Sequence, residues 1–170
     1  MTRFSLPLGS VVLSSLTFAL SVAAARPASA QEYLPTATAQ LASGIESGGK
    51  GVARARTRMR VGVDLRVDEM PEDLLSFAVL LDMEPRAAIG ADLRYGRMIG
   101  PLTITAGPAA YFVPGTLLGA CASATYRIPR TGRFSLGIGP EATTYFIGSD
   151  LPDGKVMWQV LMQAGLRVDL

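Results

Sequence analysis

The chain has 170 residues, a length suited to one domain, and is 49% hydrophobic but only 18% charged. It has no histidine and a single cysteine, Cys121, which excludes Ser-His-Asp and Cys-His catalysis, His-ligated zinc and an internal disulfide. Beyond the N-terminal segment no apolar run reaches the length of a membrane helix. Any passage through a bilayer must then be made by strands.

Residues 1–30 read as a secretory leader. Arg3 precedes an apolar stretch from Val11 to Ala25, and Ala28-Ser29-Ala30 presents small side chains to a peptidase just before Gln31. The lone cysteine lies far from that cleavage site, so the N-terminal cysteine of a lipoprotein is not expected. Of the 16 basic side chains, Arg3 and Arg26 leave with the leader, and the 14 that remain match the 14 acids. A neutral mature chain gives no reason to expect a nucleic-acid partner.

Residues 31–52 form an N-terminal segment rich in Ala, Thr, Ser and Gly that ends in the loop-like Ser47-Gly48-Gly49-Lys50-Gly51. Residues 53–170 form the barrel domain. From Ala53 to Val67 apolar and polar side chains alternate, with Arg54, Arg56, Arg58, Arg60, Asp64 and Arg66 on one face and Met59, Val61, Val63 and Leu65 on the other. Only the two-residue period of a strand separates them. Residues 74–83 are apolar on both faces, and Pro71-Glu72-Asp73 ahead of them suits a helix start as well as a strand boundary. The span is short for a helix and its neighbours form a meander, so a strand is expected.

Ile89, Leu93 and Tyr95 then alternate with Asp92 and Arg94, and Gly100-Pro101 leads into Leu102, Ile104 and Ala106 alternating with Thr103 and Thr105. Leu118, Ala120, Tyr126 and Ile128 oppose Cys121, Ser123, Thr125 and Arg127; after the Pro129–Gly132 turn, Phe134, Leu136 and Ile138 oppose Ser135 and Glu141. From Val156 to Leu170 the even positions form an apolar face against Gln159, Gln163, Arg167 and Asp169. Seven strands are visible, and an eighth between Tyr33 and Ile45 would give the even number that closes a bacterial barrel with both chain ends in the periplasm. The expected fold is therefore all-β: an up-and-down antiparallel barrel of eight strands. It places the Gly148–Lys155 loop outside and the Pro129–Gly132 turn in the periplasm.

The direction of the apolar face decides the function. In a soluble barrel it forms the core, and in an outer-membrane barrel it meets lipid. Three features point to lipid. Arg54, Arg56, Arg58, Arg60, Asp64, Arg66, Asp92, Arg94, Glu141 and Arg167 share one parity and can form an interior charge network. The polar faces of the middle strands carry small residues suited to a narrow lumen. Tyr95, Tyr111, Phe112, Tyr126, Phe134, Tyr145, Phe146 and Trp158 lie near strand ends, where aromatic girdles sit.

On this pattern, over residues 33 to 170, the chain resembles the small eight-stranded outer-membrane barrels, the family of the OmpA transmembrane domain and OmpX. The terminal strand looks like that family's assembly signal, with Leu170 where an aromatic residue is usual. The resemblance implies outer-membrane lipid and the assembly machinery as partners, and a non-enzymatic role in envelope integrity, structure or surface interaction. No cofactor, metal or catalytic residue is expected, and no ligand is indicated. A carboxylate enzyme working through Glu141 and a nearby Asp has no motif behind it. The alternative, from a different class, is a soluble periplasmic or secreted β-barrel that binds a small apolar ligand inside.

Overall fold

The computed structural model describes residues 33–48, 53–67, 70–84, 86–129, 132–149, 151 and 155–170. The expected leader and its cleavage point lie outside these residues, as do parts of the Pro129–Gly132 turn and the Gly148–Lys155 loop. The strands are β1 (Tyr33–Gly48), β2 (Arg54–Val67), β3 (Met70–Glu84), β4 (Ala88–Ile99), β5 (Leu102–Val113), β6 (Leu117–Pro129), β7 (Phe134–Gly148) and β8 (Met157–Asp169). Each pairs antiparallel with its sequence neighbours, and β1 pairs with β8 to close the barrel. The shortest strands have 12 residues, more than the roughly 9–11 that a tilted strand needs to cross a bilayer.

β1 forms where the alternation in sequence is faint. Thr36, Thr38, Ala42 and Glu46 face inward and are buried, while Leu41 and Ile45 face outward. Closure places Ala39 opposite Val61 on one side and opposite Leu166 on the other. The backbone N–H of Leu170 donates to the carbonyl of Pro35 at 3.0 Å, which ties the last residue to the first strand. The doubly apolar segment 74–83 is a strand, the body of β3. Its outward side chains include Leu75 and Phe77, and its inward ones Leu74, Ser76, Ala78, Leu80 and Asp82. Pro71 falls inside β3 and begins no helix.

The two faces sort by chemistry. Exposed outer positions include Phe77, Leu93, Ile104, Ile138, Val160, Met162 and Leu166. The inner face holds most of the charge and buries it. Among the aromatics, Phe112, Phe146 and Trp158 are exposed at the loop end and Tyr95, Tyr126 and Phe134 toward the turn end, forming two outer belts. Tyr111 and Tyr145 do not join them. They share the inward parity of Thr103 and Thr143, and are 2% and 0% exposed inside the barrel.

Candidate functional site: the ion-paired lumen

β2 supplies Arg56, Arg58 and Arg60 to the lumen because its inward positions carry an arginine at every second residue. Each guanidinium meets carboxylates from other strands. Nε of Arg56 lies 2.6 Å from Glu46 of β1, and its Nη1 donates to Asp82 of β3. Arg58 donates from Nε to Asp82 at 3.1 Å and from Nη1 to Glu141 of β7 at 2.5 Å. Its Nη2 donates to the Gln159 side-chain oxygen, and Gln159 Nε2 donates on to Glu46 at 2.9 Å.

The chain of charges continues toward the turn end. Arg94 of β4 donates to Glu141 at 2.9 Å and to Asp92 at 2.6 Å. Arg60 grips the same Asp92 through Nε at 3.0 Å and Nη2 at 2.8 Å, and donates to Ser76 at 2.7 Å. Nearer the turns Arg167 pairs with Asp64 at 2.5 Å, and Arg66 donates to Asp169 at 3.0 Å. Both oxygens of Asp82, Asp92 and Glu141 accept from arginine, so each carboxylate joins two donor groups. Charge-assisted bonds of this kind offset the cost of taking both ions out of water.

Of the ten residues expected in an interior network, nine lie in this system: Arg56, Arg58, Arg60, Asp64, Arg66, Asp92, Arg94, Glu141 and Arg167. Arg54 has the same parity but is exposed at the start of β2. Glu46, Asp82 and Gln159 were not singled out from the sequence, although each has inward parity. Glu46 ends a weakly patterned strand, and Asp82 is the single acid in an apolar run. Among the described residues no cluster of His, Cys, Asp or Glu is suited to a metal ion.

The loop end of the lumen is filled by rings. Tyr111 and Tyr145 stand 5.6 Å apart with their planes tilted by 54°, and the guanidinium carbons of Arg56 and Arg58 each sit 5.9 Å from the Tyr111 ring centre. Leu80, Leu117 and Cys121 pack with the two rings, and Leu151 and Met157 lie against that cluster. In the other half a polar cavity of about 20 Å³ is bounded by Arg60, Arg94, Arg167, Asp64, Gln40, Ser76 and the hydroxyls of β5 and β6. That is room for one or two waters.

No family model matches the chain, and no curated protein matches it. Among solved structures, outer membrane protein AlkL, determined by solid-state NMR in DMPC lipid bilayers, is 8% identical, with 86% of this chain and 94% of that one covered at a TM-score of 0.52. The crystal structure of Neisserial surface protein A is 15% identical, covering 84% of this chain and 100% of that one at a TM-score of 0.46. The chain has the fold of the small eight-stranded outer-membrane barrels. Within that fold the interior of this chain is closed by paired charges at its centre and by aromatic rings at its loop end.

Proposed function

We propose that the protein is a non-enzymatic β-barrel of the bacterial outer membrane, matured by cleavage before Gln31, with a role in envelope integrity, structure or surface interaction. The observation that carries this reading is the facing. A continuous apolar belt lies outside, bounded by aromatic residues at both ends, over a lumen of ion-paired arginines. In water that arrangement would expose the apolar belt and bury the charges, the reverse of a soluble barrel's economy. In a bilayer both faces are satisfied, because lipid covers the belt and each buried charge has its partner.

The soluble alternative needs an apolar interior able to hold a ligand. Here the lumen is charged, and the rings at its loop end pack against one another. A role through lipid anchoring and the outer ends of the strands fits better. β8, the closing strand, is the natural element for the assembly machinery to engage. Membrane fractionation of the expressed chain tests the reading. Recovery in the outer-membrane fraction after carbonate and high-salt washes is the expected result, and recovery in the soluble periplasm would overturn it.

A further inference from the structure

The barrel's ladders are not equally continuous. β4 and β5 pair Asp92 with Ala109 and next Tyr95 with Ala106, skipping the step where Gly107-Pro108 stands opposite Leu93 and Arg94. β6 and β7 pair Ser123 with Glu141 and next Tyr126 with Ile138, skipping the step where Gly139-Pro140 stands opposite Ala124 and Thr125. Proline has no N–H to give, so each seam lacks a ladder donor in a region where no water can replace it. Each seam also has a register shift near the loops, at Ile89/Gly90 and at Leu118/Gly119. Between them the β5–β6 ladder runs unbroken from Leu102↔Tyr126 to Tyr111↔Leu117.

The ion pairs repeat this division, while at the loop end Tyr111 of the hairpin packs on Tyr145 and under Arg56 and Arg58. Every charged member of the lumen network comes from β1 to β4, β7 or β8. The hairpin is instead tied to itself, through the Thr105–Ser123 hydroxyl pair at 2.8 Å and the Cys121 thiol on the Gly107 carbonyl at 3.4 Å. Its bonds outward are from Gln163 Nε2 to the Thr125 hydroxyl at 2.9 Å and, at the loop end, from the Thr116 N–H to the Ser149 hydroxyl at 3.1 Å and from the Ser149 N–H to the Thr116 carbonyl at 3.0 Å. Behind it lies the polar cavity, where Thr105, Ser123 and Thr125 face Arg60, Arg94 and Arg167, with Asp64 the one carboxylate in the wall. Arg94 is 2% exposed, and its Nε has no acceptor among the described residues.

We propose that the β5–β6 hairpin is a hinged panel whose outward displacement opens the arginine-lined cavity sideways, as a pocket for the carboxylate of a bilayer-borne amphiphile. The pocket rests on the membrane-spanning reading; the panel rests on the ladders alone. Displacement breaks two already interrupted seams and the contacts of Thr125, Thr116 and Tyr111 with their neighbours, but no ion pair among the described residues. It uncovers guanidiniums to which a carboxylate can add while they keep their present partners.

Cys121 reports the motion, because it is the chain's single cysteine and lies buried on the inner face of the hairpin. The mature chain is folded into DMPC vesicles and its reaction with N-ethylmaleimide is timed. The reference is a Cys121→Ser/Ala42→Cys version, whose thiol is buried on β1 between two unbroken ladders. Cys121 should react about tenfold faster than position 42. Replacing both prolines, Pro108→Val and Pro140→Val, restores two donors and should slow Cys121 by about tenfold.

Equal rates at 121 and 42, or no slowing on proline replacement, overturn the panel. If the double variant fails to fold, the ratio between positions 121 and 42 still decides. The same ratio in dodecyl maltoside micelles tests the panel even if the chain does not partition into membranes. For the pocket, oleate in the vesicles should slow Cys121 labelling about fivefold while oleyl alcohol and free acetate do not, since only oleate brings a charge from within the bilayer. No effect of oleate, an equal effect of the alcohol, or an equal effect of acetate overturns it.

Discussion

Arg58 of β2 and Glu141 of β7 are 83 positions apart and meet across the lumen at 2.5 Å, with no more than 2% of either residue exposed. The two strands are not neighbours in the sheet, so this pair spans the barrel interior while the ladders run around its wall. Glu141 also accepts from Arg94 of β4, which makes one carboxylate the junction of three strands.

Removing that junction should be costly. Glu141→Ala leaves Arg58 and Arg94 each short of a partner, and a loss of about 3–5 kcal/mol in unfolding free energy is expected. Urea unfolding of the refolded barrel in lipid measures it. A double-mutant cycle with Arg58→Met should show a coupling of about 1–3 kcal/mol. Additive losses would mean that the contact carries no energy of its own.

The parity of these residues was legible in the sequence, because arginine at every second position of 54–60 admits only one face. Which acid each arginine meets was not. Partners across a lumen depend on the stagger of eight strands, and no local pattern records that stagger. Asp82 was hidden for another reason, since β3 is apolar on both faces and its one inward charge sits near the loop end. Tyr111 and Tyr145 teach the converse. Their place near strand ends suggested an outer girdle, yet their parity with Thr103 and Glu141 already put them inside. β1 was faint because Ala, Thr and Ser give little contrast between a packed lumen and a lipid face.

The closed lumen should not conduct. Eight strands enclose a space that side chains can fill, and Arg58, Tyr111 and Tyr145 occupy its loop half with at most 2% of any of them exposed. Planar bilayers carrying the purified chain should show no stable nanosiemens-scale steps. Such steps in the unmodified protein would mean that the ring pair and its arginines do not block the path.

Maturation gives a separate test. The proposed cleavage after Ala30 would leave Gln31 at the start of the exported chain, two positions ahead of the first residue of β1. N-terminal sequencing of protein recovered from the envelope should begin at Gln31. A product that keeps Val11 to Ala25 would leave an uncleaved apolar segment attached to the first strand.

Facing supports the whole functional reading, and two positions separate the cases. Val160 is 47% exposed on the outer face of β8 and Arg58 is 1% exposed in the lumen. An arginine placed at 160 near the bilayer midplane should cost about 2–4 kcal/mol. Arg54→Ser, at the exposed start of β2, should stay within about 0.5 kcal/mol. Single cysteines at 58 and 160 in a Cys121→Ser background, labelled with a fluorophore after folding into vesicles, make the geometry direct. A quencher carried in the lipid acyl chains should dim the label at 160 and leave position 58 unlabelled or unquenched. The Arg58→Cys change also breaks the contacts to Asp82 and Glu141, so Thr38→Cys, a buried lumen position on β1, serves as the second inward site. If lipid quencher reaches 38 or 58 as readily as 160, the apolar belt is not the lipid face, and the inverted soluble barrel becomes the better account.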